Sequence, residues 1–349
     1  MEHKLGIIGY GAMATYHHQA IKKPENLCYI AACDTDPSRA EKVINDGLQF
    51  FGSPGELLRH PEIEAVLIAT PNNSHFSLAK LAMEQGKHVI LEKPATLHAD
   101  EFAQLMQLAQ EKNCLLTSHQ NRRMDKDFRM IQKILSDGTL GEVFRIESRV
   151  EGSRGIADTW RRKKEFGGGM LYDWGVHLID QLLYMVPGTV TSVFMRQQHL
   201  IPSDADDNFR LELEFDTGVS VLVEIATCNF IMHPLWYVLG RKGSAQIDYW
   251  DLQGKIVQLT NEEIKWEDEI KPNVAGPSIT MAPRAEDTVR TLPLPEVEVD
   301  AGRFYRNFAA ALEGRETLWV KPEETLRVMQ VIDMAFASAE ENQVKICHI

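Results

Sequence analysis

The sequence predicts an α/β protein, with a doubly wound parallel sheet over residues 1–120 and an α+β unit with an open, mostly antiparallel sheet over 121–349. Three observations carry this reading. Short apolar runs alternate with helical stretches of about 10–15 residues through the first part of the chain, as in βαβ units. The first of these runs ends in a glycine-rich turn that opens a helix. Later strands alternate apolar with polar residues and meet at glycine turns, as hairpins do.

Lys4 to Gly9 is an apolar run ending in glycine, the pattern of a buried parallel strand. A helix follows from Met13 to Ile21, then a second strand from Tyr29 to Asp34. Asp36 and Pro37 suit the N-cap and first position of another helix. Ala65 to Ala69 forms a third apolar run, and a helix from Ser74 to Gln85 stops at Gly86. His88 to Leu91 reads as a strand, Ala99 to Lys112 as a helix, and Cys114 to Thr117 as a strand. In the second part, Val143 to Val150 alternates as a strand does. Phe209 to Phe215 and Val219 to Ile225 flank Asp216-Thr217-Gly218 as a hairpin, and Tyr237 to Leu239 and Ala245 to Tyr249 suggest another. Residues 262–300, rich in Pro and Glu, read as an excursion, followed by helices over 302–313 and 322–341. Leu326, Met329, Ile332 and Phe336 form a packing stripe on the last helix, which is expected to pack back on the first unit.

A chain of 349 residues accommodates two domains of about 100–200 residues. Its net charge of -13 argues against an electrostatic footprint for nucleic acid or an anionic membrane. No apolar run approaches the roughly 20 residues that span a bilayer, and the N-terminus carries no cleavable signal pattern. Five widely spaced cysteines, an odd number, point to reduced thiols and a cytoplasmic protein.

Gly9-Tyr10-Gly11-Ala12-Met13-Ala14 fits the glycine pattern that cradles a dinucleotide pyrophosphate. Gly9 permits a tight turn, Gly11 leaves room for phosphate, and Ala14 allows close helix–strand packing. Asp34, 20 residues after Ala14, suits a ribose hydroxyl pair and repels a 2′-phosphate, which favours NAD over NADP. Arg39 is near enough in sequence to serve such a phosphate instead.

Gly167-Gly168-Gly169 runs into a helix that carries Asp173 and His177. Four residues apart, these two share a helix face past a flexible glycine floor. A carboxylate beside an imidazole suits removal of a hydroxyl proton. Asp173 could equally cap the helix. Two ligands without a third at motif spacing do not make a metal site, so none is expected.

These segments resemble the glucose-fructose oxidoreductase, inositol dehydrogenase and MocA-type family of oxidoreductases. The resemblance rests on the glycine motif, Ala69-Thr70-Pro71-Asn72-Asn73-Ser74-His75, Glu92-Lys93-Pro94, Asn121-Arg122-Arg123, and Trp160-Arg161 leading into the glycines with Asp173 and His177. It implies a Rossmann domain, hydride transfer with NAD(P), and a sugar, polyol or inositol substrate. It also implies a homodimer or homotetramer built through the open sheet, with Leu211, Leu213 and Phe215 or their opposite-face neighbours at the interface. Lys93, Asp173 and His177 would be the catalytic set. His177 or Lys93 would take the proton, and Lys93 would favour a developing alkoxide. Thr70, Asn72, His75, Glu92, Lys93, Asn121, Trp160 and Arg161 join Gly9 to Met13 and Asp34 on the cofactor side. Arg122 and Arg123 would serve a substrate or an interdomain salt bridge. A carbonyl or imine reductase and a ligand sensor without catalysis are the competing functions.

Overall fold

The computed structural model describes residues 2–20, 26–261, 270–271, 274–276, 278–279 and 284–349. The first unit runs β1 (His3–Ile8), α1 (Ala12–Ala20), β2 (Leu27–Cys33), α2 (Ala40–Asn45), β3 (Gln49–Phe51), α3 (Pro54–Leu58), β4 (Ala65–Ile68), α4 (His75–Glu84), β5 (His88–Leu91), α5 (Ala99–Lys112) and β6 (Leu116–Ser118). All six strands are parallel, in the order β3-β2-β1-β4-β5-β6. This is the Rossmann order. Its direction reverses between β1 and β4, so a crevice opens at their carboxyl ends. Every residue of β4 is buried, as a central strand covered on both faces requires. The short β3 and α3 carry too little periodicity to be legible in the sequence.

The second unit runs α6 (Lys126–Ser136), β7 (Val143–Glu151), α7 (Val176–Met185), β8 (Val190–Gln198), β9 (Asn208–Phe215), β10 (Ser220–Ala226), β11 (Trp236–Gly240), β12 (Gly243–Ile247), β13 (Gly254–Leu259), β14 (Ile270–Lys271), β15 (Ser278–Ile279), β16 (Val289–Leu292), α8 (Arg303–Leu312), α9 (Pro322–Glu341) and β17 (Lys345–Ile346). Nine strands form one open sheet, ordered β16-β13-β12-β11-β7-β10-β9-β8-β17. It is antiparallel except where β7 and β10 run parallel at its centre. Ile21, in the predicted first helix, lies outside the described residues, as does much of the predicted excursion at 262–300.

Alternation along β9 sorts its side chains. Leu211, Leu213 and Phe215 are buried against the helical layer, whereas Arg210, Glu212 and Glu214 face out. The outer face is therefore charged, with Arg149 paired to Glu147 and to Glu224. Of the two sets named for an interface, the apolar one belongs to the core.

The last two helices divide their packing between the units. Phe304, Tyr305 and Phe308 of α8 cover one face of the Rossmann sheet with Leu5, Ile7 and Ile90. On the other side, α9 touches α5 and β6 as well as α7 and β8, and Asp333 on α9 accepts from the Ala99 amide at 2.8 Å. The helix that reaches across the first sheet's far face is thus α8, while α9 lies in the seam. The described residues include no helix long and apolar enough to cross a membrane.

Arg123 ties α7 to α9 within the second unit. It is 1% exposed, binds Asp180 on α7 through two nitrogens at 2.7 and 2.6 Å, and reaches Glu324 on α9 at 2.7 Å. Of the two roles the sequence allows for Arg123, neither is found as stated: it forms a salt bridge, but Asp180 and Glu324 both belong to residues 121–349, so the bridge lies within the second unit and does not join the two. Burial pushes the Asp180 carboxyl above its ordinary range despite the guanidinium beside it. Removing only the cation strands a buried acid, which typically costs about 3–5 kcal/mol. Arg123→Met is therefore expected to lower unfolding free energy by about that amount in urea titrations. Arg123→Met/Asp180→Leu should recover much of the loss, and a single variant as stable as wild type would refute the role.

Candidate active site

A cleft of about 720 Å³ opens at the carboxyl ends of β1 and β4. This is the place where open α/β sheets bind ligands, and its size is usual for a small-molecule site. Gly9 turns with φ +86°, and a Cβ there would meet Thr70 Cγ2 at 2.7 Å and the Ala69 carbonyl oxygen at 3.0 Å. A Cβ on Gly11 would meet nothing within 4 Å among the described residues. Protein packing therefore explains Gly9, whereas Gly11 leaves open space before the N-terminus of α1. That space and the free amides of a first helical turn suit a pyrophosphate. Tyr10 presents only backbone here, because its ring is buried and its hydroxyl donates to Asp46 at 2.7 Å.

Asp34 follows β2 and lines the same cleft. Its Oδ2 accepts the Tyr10 amide at 2.8 Å and its Oδ1 the Asp36 amide at 2.9 Å. These bonds orient a carboxylate whose remaining lone pairs can meet hydroxyl donors. Arg39, the other candidate for a phosphate, turns instead to Asp36 at 3.7 Å on the surface.

Lys93 follows β5 and leans across to the second unit. Its Nζ donates to the Asp173 carbonyl oxygen at 2.7 Å and to Asp173 Oδ1 at 3.0 Å. An ammonium carries three donors, so one is left for a substrate oxygen. Arg161 Nε lies 3.5 Å from Asp173 Oδ2. Burial by itself pushes the Asp173 carboxyl up, but Lys93 and Arg161 outweigh it and hold the group below its ordinary range.

The segment carrying Asp173 is a π-helical turn, Leu171–Gly175, continuous with α7. Single π-turns inside helices recur at functional sites. Asp173 and His177 still line one cleft, as the four-residue spacing predicts, but Asp173 turns to Lys93 and Arg161 instead of the imidazole. Nor does Asp173 cap the helix. Asp206 does so, accepting the Leu171 amide through Oδ2 at 2.8 Å, and burial pushes its carboxyl up to about 6.

His177 is 4% exposed, and its Nδ1 is buried without a hydrogen-bond partner among the described residues. Burial, then the charges of Lys93 and Arg122, hold the imidazole well below its ordinary pKa. It is accordingly neutral across the neutral pH range, with a nitrogen lone pair free of a proton, although a weaker base than a free imidazole.

The glycine run is not a flexible floor. A Cβ on Gly167 would strike Leu97 Cδ2 at 2.4 Å, one on Gly168 the Arg161 carbonyl oxygen at 2.4 Å, and one on Gly169 Asp206 Oδ1 at 2.1 Å. Three close backbone approaches explain the three glycines. Asn72 completes the joint, donating from Nδ2 to the Gly167 carbonyl oxygen at 2.7 Å, and Asn73 does the same to Glu165 at 3.1 Å.

Thr70, Glu92, Asn121, Trp160, Ala12 and Met13 also line the cleft. His75 does not. Its ring is wholly buried, with Nδ1 at 2.8 Å from the Pro94 carbonyl oxygen and Nε2 at 3.0 Å from that of Thr70. It braces the turn behind the Lys93–Pro94 peptide, which is cis.

Two groups near the site carry no signal in the sequence. Behind Lys93, Glu92 Oε1 accepts from His17 Nε2 at 2.6 Å and His119 Nδ1 at 3.0 Å, while Glu92 Oε2 accepts the Lys93 amide at 3.1 Å. Burial pushes the Glu92 carboxyl up, but the two imidazoles overcome this and hold it well below its usual range. The three residues could also offer ligands within 4.8 Å of one another, although hydrogen bonds account for their approach. Their sequence separation hides the group. The second such feature is the stacking of Arg122, whose guanidinium sits 4.0 Å above the Trp174 ring.

The family model described as "Oxidoreductase family, NAD-binding Rossmann fold" matches residues 3–120, and that for the "GFO/IDH/MocA C-terminal domain" matches 128–246. Among curated proteins, scyllo-inositol 2-dehydrogenase (NADP(+)) IolW of Bacillus subtilis is 30% identical, with 97% of this chain and 94% of that protein covered. Myo-inositol 2-dehydrogenase of Thermotoga maritima is 27% identical over 63% of this chain and 64% of its own length. Among solved structures, an NAD-binding protein from Listeria innocua superposes with a TM-score of 0.95 at 38% identity, covering 99% of both chains.

The electrostatics of the cleft can be tested directly. Removing the Lys93 charge in Lys93→Met should move the His177 titration midpoint upward, while burial still keeps it below about 6.5. Imidazole NMR would read the midpoint, and an unmoved value would show that Lys93 does not act on His177.

Proposed function

The chain belongs to the GFO/IDH/MocA oxidoreductase family, and we propose that it oxidises a secondary hydroxyl of a sugar, polyol or inositol with NAD(P). The observation that supports this most is convergence. Lys93 from the first unit and Asp173 and His177 from the second line one cleft with the glycine turn. A nicotinamide dinucleotide, when bound, accepts the hydride lost from carbon. Gly9 to Met13, Asp34, Thr70, Asn72, Glu92, Asn121, Trp160 and Arg161 are the residues we assign to holding it.

Oxidation also requires loss of the hydroxyl proton. Lys93 donates its remaining N–H to the substrate oxygen and favours charge developing there. Asp173 fixes the ammonium at two points and so limits where that third donor can aim. His177, already neutral, receives the proton at an imidazole nitrogen. In this reading Asp173 acts through Lys93, since its carboxylate is turned to the ammonium.

We infer NAD as the preferred cofactor. The fixed Asp34 carboxylate supports this, because it would repel a 2′-phosphate and Arg39 is paired elsewhere. The name of the Bacillus relative specifies NADP(+) for that protein, so direct comparison is needed here. Asp34→Ser should raise kcat/KM with NADP relative to NAD by about tenfold or more. An unchanged ratio would remove Asp34 from cofactor selection.

The activity itself is tested by NAD(P)H formation at 340 nm across inositols, aldoses, amino sugars and linear polyols. Turnover is expected with one class, and Lys93→Ala or His177→Ala should each lower kcat/KM by about 10²–10⁴-fold. Absence of turnover across the panel with cofactor still bound would refute the dehydrogenase reading.

A further inference from the structure

The hairpin between β12 and β13 carries an exposed aromatic pair, Tyr249 and Trp250, at its tip. The tip is closed by ordinary backbone bonds, Asp248 N to Gln253 O at 2.8 Å and Leu252 N to Tyr249 O at 3.0 Å. Leu252 sits in the left-handed region at φ +61°, a conformation that costs a branched side chain energy. An apolar, strained tip on an otherwise polar sheet edge calls for a reason. Its position supplies one. The Trp250 ring centroid lies 5.7 Å from that of Trp174, with the planes 48° apart.

Trp174 lines the cleft between the two polar groups assigned to the chemistry, directly after Asp173, with its ring centroid 6.0 Å from that of His177. Arg122 stacks over the face of the Trp174 ring at 4.0 Å, a cation–π contact that fixes the ring's orientation. Trp250 is not itself among the residues lining the cleft, but it stands against Trp174, which is, and it keeps 41% of its surface free beside that wall. Small-molecule sites pair a few polar groups with apolar and aromatic walls of this kind.

We propose that Trp250, acting with Trp174, forms the substrate subsite of this cleft and selects ring-shaped polyols or sugars, whose carbon-bound hydrogens form an apolar face that a flexible open-chain polyol lacks. The proposal rests on the polyol dehydrogenase reading for its substrate class, but its geometry does not depend on turnover. The polar groups of the cleft bind hydroxyls and would accept open-chain and cyclic polyols alike. The indole wall makes the difference between them. A rigid ring loses little conformational freedom on meeting a flat surface, while an open chain must be ordered first.

The test measures binding separately from chemistry. Isothermal titration calorimetry with NADH-saturated protein would use myo-inositol, scyllo-inositol and glucose as cyclic probes and sorbitol as the open-chain probe. Wild type, Trp250→Ala and Trp250→Phe would be compared, with the oligomeric mass of each measured by light scattering. At least one cyclic probe is expected to bind more tightly than sorbitol. Trp250→Ala should weaken it tenfold or more and leave sorbitol within twofold, and Trp250→Phe should restore binding to within about threefold of wild type. Binding that follows this pattern without turnover would uphold the subsite while refuting the dehydrogenase reading. Failure of every cyclic probe to bind, equal weakening of sorbitol, or unchanged binding in Trp250→Ala with altered mass would overturn the subsite, the last by making Trp250 a contact between copies.

Discussion

Lys93 reaches from the end of β5 to both the carbonyl and the carboxylate of Asp173, and the arrangement of the cleft depends on that crossing. The two residues belong to different sheets' layers, so the bond forms only when those layers are correctly seated. Burial would leave either charge costly by itself. Together they fix an ammonium with one donor to spare and keep Asp173 ionised, while the Lys93 charge adds to burial in lowering the basicity of His177.

Close backbone contact makes the seating exact enough for this pair. Each glycine of the Gly167–Gly169 run touches a different partner, and Asn72 bonds the first of them from the Rossmann side. A side chain at Gly168 would strike the Arg161 backbone, and one at Gly167 or Gly169, both at positive φ, would strike the Leu97 or Asp206 side chain. Farther back, Arg123 ties α7 to α9 through Asp180 and Glu324, so the helix bearing His177 is also held about one turn beyond it. Dense packing transmits displacements instead of absorbing them.

Much of this is legible in the order of the amino acids. The parallel strands announce themselves as apolar runs because both their faces are covered. The glycine turn, Asp34, Lys93, Asp173 and His177 fall where their motifs suggest. Other features are illegible for identifiable reasons. His17, Glu92 and His119 meet from three elements far apart in the chain. His75 matches a motif, yet its ring is enclosed by carbonyl groups behind the turn. Asp173 looks like the acid that caps its helix, but Asp206, which stands before β9 and far from that helix in the sequence, is brought to the Leu171 amide only by the fold.

The sequence by itself determined the element types, the Rossmann layer and the local motifs, since these depend on side-chain periodicity and on backbone demands within a few residues. Tertiary structure alone decided which face of the second sheet is charged, which helix covers which layer, and which acid pairs with Lys93. It also decided that the glycines are packed instead of mobile. Those outcomes depend on distances between elements separated by tens to hundreds of residues, and a pattern that repeats every two or 3.6 residues carries no record of them.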